Sequence, residues 1–169
     1  MGSVSMKEQI WVDVSILDTM LREANNAAPF ETGGVLLGYR TGPKDETVVT
    51  HSVGAGPDAT RESSRFVPDY DFQEMEIARI YENSGRVLSY LGDWHSHPQG
   101  SEHLSRKDIL TLRRIATSVD ARVPSPIMLV LAGGPEWSVA GWQGRIVRRL
   151  WWKTLAVAPL AVRTFAASR

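Results

Sequence analysis

Three of the four histidines, His95, His97 and His103, fall within nine positions, in the stretch Gly92-Asp-Trp-His-Ser-His-Pro-Gln-Gly-Ser-Glu-His-Leu-Ser-Arg-Lys-Asp108. His95 and His97 are two residues apart. On an extended strand, residues i and i+2 point to the same face, so two imidazoles can converge on one point. Pro98 follows at once and ends the ladder, which puts the pair at a strand end beside a loop. Rigid strands often hold functional side chains at such an open mouth. Two imidazoles on one face suit a zinc ion, which takes four tetrahedral ligands. A third protein ligand is then needed, and Asp108 is the nearest sensible carboxylate, in the first turn of the next helix. Two His and one carboxylate leave a fourth position for water, as catalytic zinc sites do, and bound zinc lowers that water's pKa toward about 7. Ser105-Arg-Lys-Asp108 also reads as a plain helix N-capping sequence. The two roles are compatible: the backbone of Ser105 can start the helix while its hydroxyl faces a cleft.

The rest of the composition narrows the chemistry. The chain has 169 residues, about one domain's worth. Hydrophobic residues make up 43%, enough for one core without disulfide or metal staples. Nineteen basic residues balance nineteen acidic ones, so no global basic field exists and no nucleic-acid partner is expected. There is no cysteine, which excludes disulfides, thiolate metal ligands and a cysteine nucleophile. The N-terminus lacks an apolar signal region, and the apolar stretch Thr154 to Val162 contains Pro159 and is far short of the roughly 20 residues a spanning helix needs. We therefore expect a cytoplasmic location and no membrane partner.

The elements that would position these residues follow from periodicity. Ile10 to Val14 reads as a strand, and Ser15, paired with Asp18, caps a helix that ends near Asn25, Asn26 and Pro29. Gly33 to Tyr39 and Glu46 to Val53 form a hairpin across the TGPKD turn. Gly54 to Ser64 is a polar loop. Asp69 to Asn83 is a helix, Arg86 to Trp94 a buried strand and Ser105 to Val119 an amphipathic helix. Pro126 to Leu131, Trp137 to Trp142 and Arg145 to Trp151 are three more strands. The order β-α-β-β-α-β-α-β-β-β implies a single mixed α/β (α+β) domain, with helices flanking a curved sheet. It divides into a tail over 1–9, a domain over 10–152 and a C-terminal segment over 153–169 that packs on the domain or a partner. Trp94 is read as core, His103 as a solvated loop residue and His51 as structural.

The spacing His95-Ser-His97-Pro, then Ser105-x-x-Asp108 after seven residues, resembles the JAMM (MPN+) metallopeptidase signature, His-x-His-x7-Ser-x-x-Asp. That family also carries an upstream Glu before a Gly-rich strand, matched here by Glu31-Thr-Gly-Gly-Val-Leu-Leu-Gly38. The resemblance runs from about Ile10 to Val147 and implies an MPN/JAB-type fold. It also implies that His95, His97 and Asp108 bind zinc, that Glu31 is the general base, and that Ser105 donates a hydrogen bond to the oxyanion. Its members commonly cleave isopeptide or peptide bonds at the C-terminus of ubiquitin-like proteins. The chain is similar to compact bacterial members encoded with ubiquitin-like conjugation components, including antiphage operons. The implied partners are a ubiquitin-like protein, its conjugates and cognate E1-like or E2-like proteins. The substrate's tail would run along walls made by the Gly54–Ser64 and Gln99–Leu104 loops. Two alternatives stay open: a hydrolase of the same machinery acting on a sulfur-carrier protein adduct or small amide, and a non-catalytic MPN scaffold.

Overall fold

Short alternation starts the chain: Gln9–Asp13 is strand β1, with Ile10 and Val12 fully buried. A computed structural model describes residues 8–41, 46–62, 65–134 and 136–167. Helix α1, Val14–Ala27, begins at Asp13, whose carboxylate accepts from both the amide and the hydroxyl of Ser15 at 2.8 Å. The cap thus lies two residues before the expected Ser15–Asp18 pair, because an Asp on extended backbone reaches the second helical amide. Residues 1–7 of the tail lie outside the described residues, and so do residues 42–45 of the TGPKD turn. Strands β2 (Gly33–Thr41) and β3 (Glu46–Val53) flank that turn and pair antiparallel.

The expected Gly54–Ser64 loop contains structure. Strands β4 (Thr60–Glu62) and β5 (Arg65–Val67) form a small antiparallel ladder separate from the main sheet. Three-residue strands are too short to show an alternation, and residues 63–64 lie outside the described residues. Helix α2 (Tyr70–Asn83) starts at Asp69, whose carboxylate accepts from the Phe72 amide at 3.0 Å. Strand β6 (Ser89–Pro98) and helix α3 (Arg106–Thr117) follow, then β7 (Ile127–Gly133).

The last part of the chain departs from expectation. The strands expected over 137–142 and 145–151 are one, β8 (Trp137–Arg149), because Gln143 and Gly144 stay in the ladder opposite Ala158 and Val157. Strand β9 (Trp152–Phe165) carries most of the segment set apart from 153 onward. It pairs antiparallel with β8 and parallel with β1, from Gln9 opposite Ala161 to Asp13 opposite Phe165. That pairing closes the mixed sheet into a barrel, in the order β1-β3-β2-β6-β7-β8-β9. Pro159 lies just before the β1 ladder begins, where a missing donor is tolerated.

Alternate residues of the strands serve three apolar clusters. Leu36, Trp94, Ile127, Leu129 and Leu131 pack with Met20 and Ala24 of α1. The other faces pack outward, with Val35 and Leu37 against Ile80 of α2, and Met128 and Val130 against Leu112 of α3. Both faces of β7 are covered, which explains its unbroken apolar run. Fully burying each such side chain contributes about 1.5–3 kcal/mol. Among the described residues, no helix is long and apolar enough to cross a membrane.

Candidate metal centre

Alternation along β6 sorts its end into two sets. Trp94 (1% exposed) and Ser96 (0%) turn inward, while His95 and His97 lie half-buried on the opposite face. Strand β7 runs alongside in parallel register, with Val130 beside His95 and Ala132 beside His97. The two imidazoles meet, with their Nε2 atoms 2.9 Å apart. His97 Nδ1 lies 2.9 Å from the carbonyl oxygen of Ser101. A carbonyl only accepts, so Nδ1 carries the hydrogen and Nε2 presents its lone pair.

Asp108 is the third helical residue of α3. One of its oxygens is 3.4 Å from His95 Nε2 and the other 3.6 Å from His97 Nε2. Its carboxylate also accepts from the Ser105 amide at 2.6 Å, and the Asp108 amide donates to Ser105 Oγ at 3.3 Å. This is a full capping box, so the helix start aims the carboxylate at the histidines. Burial disfavours charge on Asp108, but hydrogen bonding and charge from His95, then bonds from Ser105, outweigh it and hold its pKa at about 2. The carboxylate is ionised at neutral pH.

The donor set fits a metal ion. One ligand atom from each of His95, His97 and Asp108 lies within 4.8 Å of the others. Bonds of 2.0–2.1 Å to a tetrahedral centre put ligand atoms about 3.3 Å apart. The 2.9 Å between the imidazole nitrogens, and the 3.4 and 3.6 Å from each to the nearer oxygen of Asp108, are close to that edge. Two imidazole nitrogens and a carboxylate facing one point fit a cation, and three such ligands would leave a fourth position open.

Glu31, in the exposed segment before β2, lines the same cavity as His95 and Asp108, a space of about 570 Å³. Its other walls come from Phe66 and Pro68 after β4, from Gln73 and Ile77 of α2, and from Thr111 and Arg114 of α3. Among the described residues, neither expected wall loop, Gly54–Ser64 or Gln99–Leu104, lines it. The polar floor was missed in the sequence. Tyr90 and Asp93 of β6 also line the cavity, and the Tyr90 hydroxyl donates to Asp93 at 2.6 Å. Burial pushes the Asp93 carboxyl above the usual carboxylate range, against the Tyr90 bond and the charges of His95 and Arg114. Burial, with Asp93 beside it, raises Tyr90 as well. Asp93 stands two residues before His95, a spacing that could have flagged it. His103 is exposed, its ring 6.5 Å from that of Trp142, and His51 is exposed beside Thr50.

Comparison with known proteins places this geometry among relatives. The profile for prokaryotic homologs of the JAB domain matches residues 13–150. A probable metalloprotease, y4qB, of Sinorhizobium fredii is 40% identical over 146 residues, covering 85% of this chain and 88% of its own. A CD-NTase/cGAS isopeptidase of Enterobacter hormaechei is 26% identical over 129 residues, covering 76% and 70% respectively. The solution structure of the protein DSY2949 from Desulfitobacterium hafniense has a similar fold, with a TM-score of 0.64 at 18% identity and 94% coverage of each chain.

Proposed function

This chain belongs to the family of prokaryotic homologs of the JAB domain and is a metal-dependent hydrolase of the peptidase or isopeptidase kind; from that premise we propose that it is a zinc peptidase acting at the C-terminus of a ubiquitin-like modifier. The observation that carries the reading is the triangle of His95, His97 and Asp108 opening onto a cavity shared with Glu31. Zinc held there would polarise the scissile carbonyl and acidify a water. His97 offers an Nε2 lone pair, His95 brings its Nε2 to the same point, and Asp108 offers a carboxylate that stays charged.

The remaining work falls to the chain's own groups. The Glu31 carboxylate takes the proton of the attacking water and passes it to the leaving amine. Ser105 Oγ accepts from the Asp108 amide, and its hydroxyl hydrogen remains to be donated to the developing oxyanion. The apolar side chains of Phe66, Pro68 and Ile77 line the cavity that would seat an extended tail ending in small residues. Relatives named CD-NTase/cGAS isopeptidase support an amide bond of the isopeptide type.

The experiment is cleavage of a ubiquitin-like protein that carries a peptide after its terminal glycines, read by mass spectrometry beside elemental analysis of the enzyme. About one zinc per chain and release of the peptide support the reading. Cleavage that persists in metal-free protein overturns it.

A further inference from the structure

The carboxylate assigned to proton transfer stands on no regular element. Glu31 precedes β2, so its place beside the ligands has to be set by neighbouring bonds. The ladder of β2 with β6 pairs Gly34 with Trp94 and Gly33 with His95. Continued in register, it puts Thr32 opposite Ser96 and Glu31 opposite His97. The strands run very close here: a Cβ on Gly33 would lie 2.4 Å from the Trp94 carbonyl oxygen and 2.9 Å from His95 Cβ.

At Thr32 the ladder changes character. The Ser96 amide donates to the Thr32 carbonyl at 2.8 Å, an ordinary bond. The return bond goes elsewhere: the Thr32 amide donates to the Ser96 hydroxyl oxygen at 3.0 Å. Both residues are fully buried. The Thr32 hydroxyl in turn donates to Glu23 of α1 at 2.9 Å and accepts from Arg61 Nε of β4 at 3.1 Å. Glu23 also accepts from the Ala55 amide at 3.0 Å.

We propose that Ser96 and Thr32 are positioning residues that hold Glu31 against the metal ligands, with Glu23 and Arg61 steadying Thr32 from behind. The inference rests on the role given to Glu31 above. Ser96 serves the site from the face away from the metal. Its hydroxyl lets the strand that carries His95 and His97 also fix the segment that carries the carboxylate. One rigid element then sets both halves of the site, and a misplacement near 1 Å is enough to cost about a hundredfold in rate.

The test uses Ser96→Ala, Thr32→Val and Thr32→Ser in the full chain, with the glycine-terminated ubiquitin-like fusion as probe. Ser96→Ala and Thr32→Val should lower kcat ten- to a hundredfold, with KM and zinc content within about twofold of wild type. Thr32→Ser keeps the hydroxyl and should keep most of the turnover. Amide exchange at Thr32 should quicken at least tenfold in Ser96→Ala while the Leu129 amide stays protected. Wild-type kcat in both hydroxyl-deleting variants, or unchanged exchange at Thr32, overturns the proposal. So does a parallel loss of zinc or of core protection, since the effect would then be general unfolding. Should Ser96→Ala fail to fold, Arg61→Ala gives the same arms from a side chain 28% exposed. If wild type itself cuts nothing, the functional reading fails, and the exchange measurement still decides whether Ser96 pins this segment.

Discussion

His97 and Ser101 are joined by a bond from imidazole Nδ1 to a backbone carbonyl, 2.9 Å long, across a tight loop. Gln99 takes a positive φ of 60° in that loop, and a Cβ on Gly100 would lie 2.9 Å from His97 Cβ. The loop therefore orients an imidazole it does not itself supply. Gly100→Ala must push the loop away from the ring, and metal affinity should fall about tenfold, the usual effect of losing such a support. Competition against a chelating dye reads this directly. Unchanged affinity would mean that the carbonyl does not orient His97.

In the proposed reading Asp108 is both a metal ligand and a member of the capping box of α3, and two substitutions separate the roles. Asp108→Ala removes both and should also lower stability by about 1 kcal/mol, near 2–4 °C in Tm for a chain of this size. Asp108→Asn keeps an acceptor for the Ser105 amide, so it should lose zinc with a smaller change in Tm. Elemental analysis and calorimetry on the two proteins decide. Full zinc occupancy in either would remove Asp108 from the ligand set.

Glu31 lines the cavity and is absent from the ligand triangle. Glu31→Gln keeps the shape and removes the proton acceptor, so turnover should drop by about 10²–10⁴ while bound zinc stays constant. A variant that retains activity would take the proton transfer away from this residue.

The turn between β8 and β9 is the reverse of the core. Leu150 and Trp151 are almost wholly exposed, at 87% and 89%. Trp151→Ser should change unfolding free energy by no more than about 0.5 kcal/mol. Leu129→Ala, in the interior, should cost about 2–5 kcal/mol. Denaturant titration of both proteins measures the contrast. A large loss from Trp151→Ser would show that the turn packs on something in solution.

What could be read from residues alone was local. His95 and His97 share a strand face through a spacing of two, and Ser105-x-x-Asp108 writes its own helix start, so the three residues that converge could be named without a fold. Thr32 and Ser96 could not be paired, because the ladder that brings them together depends on a register 64 residues apart in sequence. Strand β9 was hidden by Pro159 and by an exposure pattern set by two different neighbours, β8 over Trp152–Leu160 and β1 over Ala161–Phe165. Asp13 was passed over as a cap because Ser15 offered the commoner signal two residues later, and β4 and β5 are too brief to carry any pattern.

The parallel ladder between Gln9–Asp13 and Ala161–Phe165 sets an order of events during translation. Strands β2, β6 and β7 and helix α3, which hold or flank His95, His97 and Asp108, all leave the ribosome before β9 does. They can dock as a neighbouring group while β1 still waits with one edge unpaired. Closing the ring is then the final, long-range step, the kind that contact order makes slow. The nascent chain can bring His95, His97 and Asp108 together inside a sheet that is still open.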